Sequence, residues 1–251
     1  MIALGSTSFR LWLRLRHRAG APRGEPTDRR EQAVLASRAE WRVARDQARR
    51  LGLPLHPDPP KSWDTLLALG AILRRVPRTG RVLDAGAERY SALLPSLYLY
   101  GYDDLHGLNL AFTRPVRRGP IRYLPGDVMN TGLPAASFGA ITCLSVIEHG
   151  VRVDDFLAEA ARLLRPGGVL VVSTDYWPDP VDTRGQYAYG VPIQIFTRAD
   201  LTAAVAAAAR HGLVPSAPID DALAVVPAEA PVRWDRVALD YTFAVLTFVR
   251  H

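Results

Sequence analysis

Between Ala136 and Tyr176 the hydrophobic positions change period twice. Ala140 to Leu144 is a short unbroken apolar run and Val169 to Val172 is another, each the length of a strand covered on both faces. Between them Phe156, Leu157, Ala160, Ala161, Leu163 and Leu164 recur at helical spacing, and Pro166-Gly167-Gly168 stops that helix and turns the chain into the next strand. The pattern predicts one β-α-β unit whose strands end in polar residues. Ser145, Glu148 and His149 follow the first strand, and Ser173, Thr174 and Asp175 follow the second. In an open parallel sheet such ends line the ligand crevice.

The alternation extends in both directions. Strands are predicted near 81–85, 105–110 and 121–124, with a short helix after Ser91. Downstream, Thr197 and Asp200 form a T-x-x-D capping box that starts a helix running to His211. Strands near 213–218 and 241–249 follow with no crossover helix between them, so the last pair is expected to be antiparallel. The fold class is therefore α/β: a doubly wound, mostly parallel, seven-stranded sheet with its last strand antiparallel. Upstream, Val34, Trp41, Ala44, Ala48 and Leu51 share one face of a helix expected over 31–51. Pro54, Pro57, Pro59 and Pro60 make a stiff connector, and Ser62 is expected to cap a helix carrying Trp63, Leu66, Leu67, Leu69, Ile72 and Leu73. Two units are expected, a basic helical extension over 1–61 and the α/β domain over 62–251.

A chain of 251 residues, 48% of them hydrophobic, buries a substantial core without disulfide support. The only cysteine, Cys143, lies in a predicted core strand, which fits a reducing, cytoplasmic setting. The net charge of +6 is concentrated at one end: residues 1–50 hold twelve Arg against five acidic residues, leaving the rest close to neutral. A nucleic-acid partner is therefore disfavoured. The basic residues are Arg throughout except Lys61. Residues 8–18 mix Phe9, Leu11, Trp12, Leu13 and Leu15 with Arg10, Arg14 and Arg16, a composition suited either to peripheral contact with an anionic membrane or to a loosely ordered tail. No apolar run approaches the roughly 18 residues of a membrane span, and a secretory signal is not recognisable.

The segments FGAITCLSVIEHG and FLAEAARLLRPGGVLVVST closely resemble the fourth strand, following helix and fifth strand of class I S-adenosylmethionine-dependent methyltransferases, in the small-molecule, methyltransferase type 11-like branch. The resemblance covers roughly 62–251. It implies S-adenosyl-L-methionine as cofactor, a small-molecule acceptor such as a sugar or a lipid-linked intermediate, and a site assembled from strand tips. Asp84, Ala85, Gly86 and Ala87 stand at the nucleotide loop, Asn109 and Leu110 at the ribose end of the second strand, Asp127 and Val128 at the adenine position, and Ser145 and Val146 after the fourth strand. The loop departs from D-x-G-x-G-x-G, with Glu88 and Tyr90 in place of the second and third glycines, and Asn109 replaces the usual carboxylate.

His149 is the candidate base, with Glu148 beside it and Asp175 and Tyr176 as further candidates. The alternative for His149 is a helix-start residue bonded to backbone. No metal site is expected, because no second His or Cys stands at ligand spacing. Trp177, Arg184, Tyr187, Tyr189 and Gln194 are the expected acceptor contacts, unless they pack their loop onto its own domain. A non-catalytic scaffold with Glu88 and Tyr90 blocking the loop is the competing reading. A nicotinamide-dependent oxidoreductase would need the full G-x-G-x-x-G that is absent here.

Overall fold

The computed structural model describes residues 5–188 and 190–251, so Tyr189 lies outside the described residues. In chain order the first elements are α1 (Ser6–His17), β1 (Gln32–Val34), α2 (Arg38–Leu51), α3 (Lys61–Arg75), β2 (Val82–Ala85) and α4 (Leu93–Leu99). Next come β3 (Leu105–Asn109), β4 (Val116–Arg118), β5 (Ile121–Pro125), β6 (Phe138–Leu144), α5 (Val153–Leu163) and β7 (Leu164–Tyr176). The chain continues through β8 (Tyr187–Ala188), β9 (Val191–Pro192), α6 (Arg198–Arg210), β10 (Leu213–Pro215), α7 (Asp220–Leu223), β11 (Val232–Trp234) and β12 (Leu239–Arg250).

The main sheet runs β1-β12-β7-β6-β2-β3-β5-β4, with β10 and β11 also paired to β12. β5, β3, β2, β6 and β7 are mutually parallel, whereas β12 is antiparallel to β7. Side chains alternate between two cores, as a sheet covered on both faces requires. Val169, Val171, Phe243 and Val245 join the core that contains α3 and α4, while Leu170, Val172, Ala244 and Leu246 join the one that contains α5 and α6. The five parallel strands therefore present their C-terminal tips at one end of the sheet, where the site forms.

The seven expected strands are present, and β1, β4 and β11 add to them. The helix expected over 31–51 begins only at Arg38. Ser37 accepts a hydrogen bond from the Glu40 amide while the Glu40 carboxylate accepts one from the Ala36 amide, and this reciprocal cap leaves 32–34 free to pair with β12. Ser62 is not a cap: Pro60 precedes the helix and Ser62 lies buried within its first turn. α5 ends at Leu163, ahead of Pro166, and residues 165–168 form an irregularity in the β6–β7 ladder. The capping box of α6 forms as expected. The basic N-terminal peptide is a helix docked on the domain. Its Phe9 and Leu13 are buried, Phe9 lies against the Tyr98 ring, and Leu11 and Leu15 remain exposed. Among the described residues no helix is long and apolar enough to cross a membrane.

Candidate functional site

The tips of β2, β6 and β7 open into a cavity of about 1090 Å³ whose other walls come from α2, the proline connector, the start of α3 and the turn between β11 and β12. Its floor is acidic. Asp84, at the end of β2, accepts a hydrogen bond from Thr142 Oγ1 of neighbouring β6 at 2.7 Å. Burial raises its pKa to about 7 against that hydrogen bond, and the nearby Asp64 charge adds to the rise. Asp64, in the first turn of α3, accepts from Ser173 Oγ at 2.8 Å, and burial raises its pKa to about 6 although the Lys61 charge opposes the shift.

Lys61 reaches into the same floor. Its ammonium donates to Ser145 Oγ and lies 3.7 Å from the centre of the Phe243 ring. Ser145 itself holds a left-handed backbone with φ of 52°, and its amide donates to the Ser173 carbonyl at 2.9 Å and to Ser173 Oγ at 3.1 Å. A non-glycine residue kept in that region at a strand tip marks a constrained site.

Glu148 is almost completely buried and accepts from Thr174 Oγ1 at 3.1 Å. Asp175 is buried beside Glu148. Burial, then the Glu148 charge, push the Asp175 pKa well above the usual carboxylate range. Tyr241 adjoins this pair, and burial, then Asp175 and Glu148, raise its pKa. His149 is half-buried on the cavity wall, and its amide donates to the Val146 carbonyl at 3.0 Å. Burial lowers the His149 pKa, Lys61 adds to the lowering and Glu148 opposes it, so the imidazole is neutral at pH 7.

The structure thus brings Asp84, Gly86, Ala87, Ser145, Glu148 and His149 together around the cavity. Ala85, Asn109, Leu110, Asp127, Val128 and Val146 do not line it. Asn109 spends its Nδ2 on the carbonyls of Gly86 and Ala87, at 3.2 and 3.1 Å, and its Oδ1 on the Ala111 amide at 2.8 Å. Asp127 Oδ1 accepts from the Met129 amide at 2.9 Å. Leu110 is exposed, whereas Ala85 and Val128 are buried in the apolar core. Val146 packs so close to Gly86 that a Cβ there would come within 2.2 Å of Val146 Cγ2. The glycine, with φ of 86°, is required by that contact as well as by its backbone. The Gly86 and Ala87 amides are tied to the Leu108 carbonyl at 2.7 and 3.0 Å. Glu88 and Tyr90 stand in the cavity wall without filling it. Tyr90 is more than half exposed and its ring lies edge-on to His56.

Residues 83–172 match a family described as a methyltransferase domain. That stretch of the chain is a methyltransferase domain. A 60-residue stretch is 38% identical to the mitochondrial ubiquinone biosynthesis O-methyltransferase of Schizosaccharomyces pombe, a match that spans 24% of this chain and only 22% of that protein. Among solved structures, the geranyl diphosphate C-methyltransferase of Streptomyces coelicolor A3(2), in complex with Mg²⁺, geranyl diphosphate and S-adenosyl-L-homocysteine, is similar over 97% of this chain and 98% of that one, with a TM-score of 0.56 at 14% identity. A putative sarcosine dimethylglycine methyltransferase from Galdieria sulphuraria aligns over 72% of this chain and 82% of its own, with a TM-score of 0.51 at 15% identity. These structural likenesses are of fold.

Of the two readings of the aromatic loop after β7, the one in which it packs onto its own domain fits the structure. Trp177, Arg184, Tyr187 and Gln194 do not line the cavity. Trp177 packs against the core, the Phe196 amide donates back to the Asp175 carbonyl at 2.9 Å, and Gln186 donates to the Val237 carbonyl at 3.1 Å. The indoles that do line the cavity are Trp41 of α2 and Trp234 of β11. Lys61 and Asp64 were also not anticipated in the site. The signals were in the sequence: the sole lysine of a chain that otherwise uses arginine, and a carboxylate set into the apolar helix around Trp63, Leu66 and Leu67.

Proposed function

We propose that this chain transfers a methyl group from S-adenosylmethionine to a small-molecule acceptor held in the cavity at the tips of β2, β6 and β7. The observation that carries this reading is the acidic floor. Asp64, Asp84 and Asp175 are buried there with raised pKa values, so the site gains by receiving a compact organic cation. A sulfonium beside an ammonium fits that donor set, and a cavity of about 1090 Å³ has room for both ligands.

When bound, the cofactor supplies an electrophilic methyl group on a good leaving group, and alignment and water exclusion are what remain for the protein. Asp84 and Gly86 would hold the aminoacyl end, and Lys61, beside Ser145, would meet its carboxylate. Asn109, Leu110, Asp127, Val128 and Val146 would shape the ribose and adenine end from behind, with Asn109 and Asp127 keeping the bonds to their own loops. His149, neutral at pH 7, would take the proton of a hydroxyl or amine acceptor, with Glu148 stabilising the resulting imidazolium. The flat faces of Trp41 and Trp234 suit a sugar ring or the apolar part of a lipid-linked intermediate.

A second reading, a non-catalytic binding protein, draws on the residues expected around the nucleotide: Val146 packs against Gly86, and Asn109 spends its hydrogen bonds on its own loop. Titration calorimetry of the full chain with S-adenosylhomocysteine separates the two. Binding is the expected result, and no heat at millimolar ligand would overturn the enzymatic reading.

A further inference from the structure

The rim of the cavity reverses the charge of its floor. Arg38 and Arg42 on α2, with Arg233 and Arg236 around β11, line the mouth. The two segments are joined by Trp41 Nε1, which donates to the Pro231 carbonyl at 3.2 Å. Two of these arginines are already engaged. Arg233 pairs with Asp235 at 3.2 Å and Asp240 at 2.6 Å, and Arg38 faces Glu229 at 4.0 Å. Among the described residues Arg42 and Arg236 form no ion pair. Each guanidinium instead lies near a neighbouring indole, 5.3 Å from the Trp41 ring centre for Arg42 and 5.7 Å from that of Trp234 for Arg236.

We propose that this rim binds a phosphoryl group carried by the acceptor. The inference rests on the methyl-transfer reading only in calling the ligand an acceptor. Two uncommitted guanidinium groups at one mouth match the double negative charge of a phosphate ester, and their planar forks match its oxygens. The acidic floor repels the same group. A ligand with one phosphorylated end is therefore oriented, with its anionic end held at the mouth and its other end directed toward His149 and the methyl donor. The indoles beside both arginines cover the ligand body and exclude water from the guanidinium contacts.

The test is calorimetry on the full chain with inorganic pyrophosphate, inorganic phosphate and acetate as probes, beside S-adenosylhomocysteine. Pyrophosphate is expected to bind at millimolar concentration or tighter, more strongly than acetate and more weakly as salt rises. R42Q/R236Q is expected to weaken pyrophosphate at least tenfold and to leave S-adenosylhomocysteine within twofold. R49Q/R50Q, exposed on the same helix but outside the cavity, is the control for general charge and is expected to change neither. No pyrophosphate binding, equal binding of acetate, or an equal loss in R49Q/R50Q overturns the proposal. Failure of S-adenosylhomocysteine to bind while the pyrophosphate pattern holds overturns methyl transfer and leaves the rim site standing.

Discussion

Two adjacent pairs of strand tips in this sheet carry similar polar residues and use them differently. At β2 and β6, Asp84, Ser145 and Glu148 face an open cavity, and Asp84 is held away from its ordinary protonation state. At β3 and β5, Asn109 and Asp127 turn back onto their own loops, accepting from or donating to backbone within 3.2 Å. The lesson is that position at a strand tip does not make a ligand contact. What matters is how much hydrogen-bonding capacity the local loop leaves unspent.

The largest expected break between the two pairs is at Asp84. Asp84→Ala should weaken S-adenosylhomocysteine at least tenfold, about 1.4 kcal/mol or more, while leaving the free protein at least as stable at pH 8, where the buried carboxylate is otherwise ionised. Unchanged affinity would remove Asp84 from the site. Next, Lys61→Met should cost S-adenosylhomocysteine roughly fivefold to tenfold, the size of one charge-assisted contact, and leave methylthioadenosine, which lacks the carboxylate, nearly unaffected. An equal loss for both ligands would assign Lys61 to packing against Phe243 instead.

Protonation sharpens the contrast further. Asp64 and Asp84 have folded pKa values of about 6 and about 7 against an ordinary 3.8. Their contribution to stability is complete below the ordinary value and is lost as pH rises through the folded values. The melting temperature of the free protein should therefore fall between pH 5 and 8, and saturating S-adenosylmethionine should flatten that fall by favouring the ionised carboxylates. A melting temperature independent of pH would show that the floor is hydrated. The smallest effect is expected at the spent tips. Asn109→Ala should lower stability by about 1 kcal/mol through its lost loop bonds and change cofactor affinity by no more than about twofold, read by denaturant titration and calorimetry.

Much of this arrangement was legible in the residue order. Unbroken apolar runs located β6 and β7, the T-x-x-D box fixed the start of α6, and the missing crossover before the final strand gave its antiparallel direction. Local patterns could not show β1, because Gln32-Ala33-Val34 is too short to declare itself and its partner lies at the far end of the chain. The rim escaped for the same reason: Trp41 and Trp234 lie far apart in the sequence, and their segments meet through contacts such as the Trp41–Pro231 hydrogen bond. Asp64 was hidden by its apolar neighbours, which specify a buried helix without saying what one polar position faces. The aromatic loop after β7 misled because its composition suits a ligand wall, whereas its backbone bonds fasten it elsewhere.

The outer edge of β12 is closed by two short strands, β1 and β10, drawn from distant parts of the chain, and the Gln32 side chain bonds Thr247 across 215 residues of sequence. During synthesis on the ribosome, residues 32–34 must wait in an unpaired state until nearly all of the described chain has emerged. Their three-residue length and the Arg-rich sequence around them limit mispairing with other nascent chains during that delay. Within the described chain, β12 is thus the strand on which β1 depends to settle.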